Sequence, residues 1–131
     1  MGSYTIIAMT IDANIIIAYL AGEQKVIQAL SQWRYEGKSL FLSTVAETEV
    51  LSFSQWSDEE RANTELFLAE NFFSVPFDRP LAHIASHVRR TGKVKFPDAA
   101  IAATALSTHT PLITRNLRDF KKIPHLEIIG I

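Results

Sequence analysis

Four carboxylates in this chain sit where one divalent cation and one phosphodiester could be handled together. Asp12 closes a short β-branched run, and Asp98 follows Pro97 in the first turn of an alanine-rich helix. Asp119 comes shortly after the apolar PLIT segment, and either Glu47 or Glu49 lies on a helix just past SLFLS. If four such groups meet, each close pair repels by about 4 kcal/mol at roughly 4 Å and an effective dielectric near 20. The cluster then persists only if acids are protonated or a cation is present. Hard oxygen donors, no cysteine and only four histidines favour Mg²⁺ or Mn²⁺ over zinc. An ion held by carboxylates and water activates a water and clamps phosphate oxygens, so the reaction class is phosphodiester hydrolysis.

Strands alternating with helices must supply those positions. The run Thr5–Ile11 predicts a buried strand, followed after Asp12 by a helix closed at Gly22. A second helix covers Glu23–Tyr35 with Gly37 as its stop; Ser39–Ser43 is a strand and Thr44–Phe53 a helix. Ser57 and Glu60 form a capping box for a helix to Asn71, and Phe72–Val75 is a third strand. Asp78 caps a helix to about Thr91, and Pro97 opens another. Strands at Pro111–Thr114 and Leu126–Ile131 complete the order. The expected fold class is therefore α/β: a three-layer sandwich whose central, mostly parallel sheet of about five strands is flanked by helices. Residues 1–131 are expected to form a single domain, since no linker or repeat divides them. In such a sheet ligands bind beyond the carboxyl ends of the strands, where these acids fall.

Each acid also has a plainer role open to it. Asp12 could only cap its helix, and Asp98 could only complement a helix dipole. Neither role explains why acids gather at one edge of the sheet. Glu47 and Glu49 are two residues apart and point to different helix faces, so one of them faces the site. His83 and His87 share a helix face as H-x-x-x-H, without the glutamate of a zinc-protease motif, and read as a surface pair. The aromatic residues read as core or dimer contacts. A receiver-type phosphorelay domain would need paired acids after the first strand and a late lysine; Asp12 follows Thr10-Ile11, and no lysine occurs after Lys122.

Charge and composition narrow the partners. Of 131 residues, 47% are hydrophobic and 21% charged, an ordinary globular composition. The net charge of −1 argues at first against a polyanion partner, but it averages two unlike halves. Residues 1–78 hold four cations against eleven acids, net −7; residues 79–131 hold nine against three, net +6. The cations form two groups, Arg89/Arg90/Lys93/Lys95 and Arg115/Arg118/Lys121/Lys122, each close in sequence to a site acid. They could track a phosphate backbone, with Arg115 and Arg118 the first choices for substrate binding. The apolar Tyr4–Leu20 stretch carries Asp12 and Asn14 at its middle, which suits a soluble strand and helix rather than a membrane span. Without cysteine, nothing calls for an oxidising compartment, and the cytoplasm is expected.

The stretches IDANIIIAYL, LSTVAETEVLSF, FPDAAIAATAL and LITRNLRDF, in this order and ending in T-x-N-x-x-D-F, resemble a PIN domain, the metal-dependent nuclease fold of VapC-type toxins. The resemblance implies Asp12, Glu49, Asp98 and Asp119 as the acidic quartet that holds the metal, with Thr114 and Asn116 as supporting polar residues. It favours Glu49 over Glu47 because the acid precedes Val50-Leu51. It further implies RNA as substrate, a homodimer, and a cognate antitoxin partner in a type II toxin–antitoxin pair. Two alternatives stand beside this: a PIN nuclease of RNA processing, and a PIN-like binding module without catalysis.

Overall fold

The computed structural model describes residues 6–53 and 55–131. Twelve elements follow one another there. They are β1 (Ala8–Ile11), α1 (Ala13–Leu20), α2 (Gln24–Tyr35), β2 (Ser39–Ser43), α3 (Thr44–Leu51), α4 (Asp58–Asn71), β3 (Phe73–Val75), α5 (Arg79–Gly92), α6 (Phe96–Thr108), β4 (Leu112–Ile113), α7 (Leu117–Phe120) and β5 (Ile128–Ile129). The fold is α/β as expected: five strands in the order β3-β2-β1-β4-β5, every pair parallel, flanked by helices.

The strand order matters for function. From β1 the chain crosses to β2 and β3 on one side, then returns to place β4 and β5 on the other. The crevice between the carboxyl ends of β1 and β4 is therefore the topological switch point, where open parallel sheets bind ligands. The Asp12 N–H donates to the Ile113 carbonyl at 3.0 Å, so the residues just past both strands are neighbours.

Local chemistry sets the element ends. Gly22 and Gly37, at φ +87° and +76°, take left-handed conformations that end α1 and α2 with little steric cost. Ser57 and Glu60 make the reciprocal capping box on α4, and the Asp78 carboxylate accepts from Leu81 N–H at the start of α5. In α6, Ala99, Ala100, Ile101, Ala102 and Ala103 are all fully buried. That run of small side chains lets α6 lie close against α5, α3 and the strands β1 and β2.

Several boundaries differ from the sequence reading. The first strand starts at Ala8 rather than Thr5, and Thr5 lies outside the described residues. The last two strands shrink to two residues each, and α3 stops at Leu51. The one-turn helix α7 has no counterpart among the expected elements. No helix among the described residues is long and apolar enough to cross a membrane.

Candidate active site at the β1–β4 switch point

Asp12 is the best-fixed carboxylate of the chain. It is 5% exposed, and its Oδ1 accepts from its neighbour Ala13 N–H at 2.8 Å as it caps α1. Its Oδ2 accepts from the Thr114 hydroxyl at 2.7 Å, across the gap between β1 and β4. The Thr114 oxygen in turn accepts from the backbone N–H of Asn116 at 2.9 Å, and the Asn116 side-chain amide donates to Asp119 Oδ2 at 3.0 Å. Four of the expected site residues are thus joined in one hydrogen-bonded chain from Asp12 to Asp119. Both polar links come from the turn between β4 and α7, which is why a short β4 suffices.

The remaining two acids arrive on helices. Ser43 caps α3 at the end of β2, so Glu49 lies past the same sheet edge on a helix packed against α1 and α6. Asp98 stands in the first turn of α6, half-buried, and lines a small cleft of about 70 Å³ with Asp119, Lys95 and Lys122. Glu47 faces elsewhere, into a groove formed with Leu68, Phe72 and Phe73. Spatial position thus separates the two glutamates that sequence spacing left open.

Crowding of these charges is visible in their proton affinities. Burial pushes the Asp12 carboxyl above its usual value; the Thr114 and Ala13 hydrogen bonds pull it back, and the Asp98 charge pushes it up again. Glu49 is raised by partial burial, then by the charges of Asp12 and Asp98. Asp98 is raised by burial and by Asp119, against the opposing charges of Lys95 and Lys122. Asp12, Glu49 and Asp98 are each pushed up by another acid, and the charge of Asp119 acts on Asp98, so the acids are electrostatically linked.

The donor set fits a hard cation that keeps its water. Among the described residues no three carboxylates or imidazoles converge closely enough to grip an ion directly. Mg²⁺ takes one or two carboxylates and retains several waters, so a partly open, all-oxygen edge with surplus negative charge suits it. His83 and His87 are exposed on α5 and share an apolar groove with His125, away from the acids.

The two arginines chosen from sequence behave differently. The Arg115 guanidinium is gripped by Glu23 through two hydrogen bonds of 3.0 and 2.7 Å, which hold the Glu23 carboxyl below its usual range. Arg115 therefore braces the loop before α2 against the site rather than standing free. Arg118 is exposed. Sequence reasoning passed over Glu23, and also Asn14, whose side-chain oxygen accepts from Arg115 N–H at 3.4 Å. Both pairings span more than ninety residues, and no local pattern announces them.

Comparison with known proteins decides the family. The sequence profile of the PIN domain matches residues 9–126. The chain belongs to the PIN domain family. A PIN relative, Ribonuclease VapC of Rickettsia bellii (strain RML369-C), is 26% identical over 94% of this chain and 96% of its own length. Among solved structures, a toxin–antitoxin complex from Klebsiella pneumoniae superposes with a TM-score of 0.79 at 29% identity, covering 92% of this chain and 95% of that one. VapBC2 from Rickettsia felis, bound to a DNA fragment from its promoter, shares the fold at a TM-score of 0.81 and 18% identity, over 95% and 98% of the two chains.

Two outcomes follow from the geometry of this candidate site. Thr114→Val keeps the side-chain shape but strips a buried carboxylate of its hydroxyl donor. It is expected to lower stability by about 2 kcal/mol in urea unfolding at neutral pH, the scale of a hydrogen bond to a charged group; an unchanged midpoint would show that Asp12 does not depend on it. The second concerns charge. A carboxyl raised above its unfolded value of 3.8, as Asp98 is, contributes stability that is full below that value and lost as pH rises through the folded one. In chelator, Asp98→Asn should therefore melt above the parent protein at pH 7.5, with the gap closing as pH falls towards 4. A gap that is absent or independent of pH would contradict the crowding.

Proposed function

We propose that this protein is a Mg²⁺- or Mn²⁺-dependent endoribonuclease, acting in the cytoplasm as the toxin of a toxin–antitoxin pair. The observation that carries the reading is the buried Asp12, oriented by Thr114 at the switch point and electrostatically joined to Glu49, Asp98 and, through Asp98, to Asp119. A fixed carboxylate among other acids is costly to keep and serves cation binding better than folding. When bound, the ion supplies positive charge against the charge that develops on the phosphodiester and makes water a better nucleophile.

The chain's own residues divide the remaining work. Asp12 and Asp98 would hold the ion from the sheet edge and from α6, and Asp119 would add charge from α7. Thr114 and Asn116 fix the first and last of these carboxylates, so they are positioning residues. Glu49 stays open to solvent although its carboxyl is partly desolvated, and its raised proton affinity would suit it to accept the proton of an attacking water at its carboxylate. None of these steps uses a ribose hydroxyl; the choice of RNA rests on the VapC relative's activity. The antitoxin partner rests on solved relatives that are toxin–antitoxin complexes, and the homodimer on the family resemblance.

Cleavage of single-stranded RNA, followed on a gel, tests the proposal. Activity should require Mg²⁺ or Mn²⁺ and vanish in EDTA. Asp12→Asn and Glu49→Gln should each reduce it by about a hundredfold or more, the usual scale for general-base or charge-stabilising groups. Glu47→Gln should cleave like the parent. Full cleavage in EDTA, or by Asp12→Asn, would overturn the mechanism.

A further inference from the structure

In the fold, Lys122 of the second basic group joins the first group, Arg89, Arg90, Lys93 and Lys95. Lys122 Nζ donates to the Lys93 carbonyl at 3.5 Å, bridging the end of α7 to the turn between α5 and α6. That turn has a fixed shape: Lys93 takes the left-handed conformation at φ +52°, and Arg89 Nε donates to the Val94 carbonyl at 3.3 Å. An open cleft of about 420 Å³ runs along Arg89, Arg90, Lys93 and Lys95. It shares Lys93, Val94 and Lys95 with the smaller cleft that ends on Asp98 and Asp119.

Isolated surface lysines are ordinary, so the pairing pattern has to decide. Among the described residues the ion pairs are Lys38–Glu36, Arg61–Asp58 and Arg115–Glu23, and none involves this surface. The only carboxylates lining either cleft are two acids of the proposed site. Cations in this number with no ion-pair partner among the described residues repel one another, and a polyanion would relieve that repulsion. A phosphodiester approaching the carboxylates also needs such an escort against their charge.

We propose that single-stranded RNA leaves the acidic edge along this track. Lys95 and Lys122 take the phosphate beside the scissile bond, and Lys93, Arg89 and Arg90 take the phosphates beyond it. Arg115, held by Glu23, is not part of the path. The proposal rests on the nuclease reading for its substrate, and its test reads binding rather than cleavage.

The test is fluorescence anisotropy of a labelled single-stranded RNA with the full chain in EDTA, titrated across salt concentrations. Each phosphate contact contributes a slope of about −0.7 in log K against log salt for single strands. Lys93→Ala/Lys95→Ala/Lys122→Ala should flatten the slope by about 2 and weaken binding by roughly tenfold or more at low salt. Lys25→Ala/Arg34→Ala, in the acidic half, should bind like the parent, and melting curves should show all three proteins folded. An unchanged slope in the triple variant, or equal losses in the control, would overturn the track. A parent protein that cleaves with Mg²⁺ while the triple variant keeps its slope would retain the nuclease and discard the track. Steep, lysine-dependent binding without cleavage would do the reverse.

Discussion

The hydrogen bond from Thr114 to Asp12 is the contact on which the site depends. It closes the gap between the carboxyl ends of β1 and β4 at 2.7 Å, and both residues are buried. A buried carboxylate without such a donor would take up a proton or seek water. With it, one oxygen of Asp12 is used by Thr114 and the other by the start of α1. The chain then continues through Asn116 to Asp119, so the turn after β4 sets the spacing of two acids that lie more than a hundred residues apart.

What surrounds that bond explains why the arrangement survives its own repulsion. The β1 and β4 backbones are tied by the Asp12 and Thr10 N–H groups, and Thr10 and Thr110 share a buried hydroxyl contact at 2.7 Å. The alanine run of α6 sits closely under the same region and carries Asp98 at its head. Charge crowding at the edge is offset by core packing beneath it, which is the usual relation between a functional site and its scaffold. The lysines at the α5–α6 turn and near α7 temper the charge of Asp98 on the outer side.

Most of the architecture was legible from the sequence because its signals are local. Capping residues at Asp12, Ser57 and Asp78, stops at Gly22 and Gly37, and Pro97 in a first turn all act within a few residues of themselves. The alternation of strands with helices then fixes a parallel sheet and puts Asp12 and Asp98 near one edge. The one-turn helix α7 escaped, since LRDF is too short to show a helical period. Spacing alone could not choose between Glu47 and Glu49, since the choice depends on how α3 packs; only the resemblance around Val50-Leu51 pointed to Glu49. Charge arithmetic located the basic half of the chain but not its pairings: Glu23 takes Arg115, while Lys122 meets Lys93.

The central claim is that a divalent cation belongs between these carboxylates. Anomalous scattering from crystals soaked in Mn²⁺ tests it most directly, because it locates the ion without reference to activity. The expected result is a peak at the β1–β4 crevice, bound by Asp12 or Asp98 directly and reached by the other acids directly or through water. A peak only elsewhere, such as at the histidine-lined groove of α5, or none at saturating Mn²⁺, would contradict it.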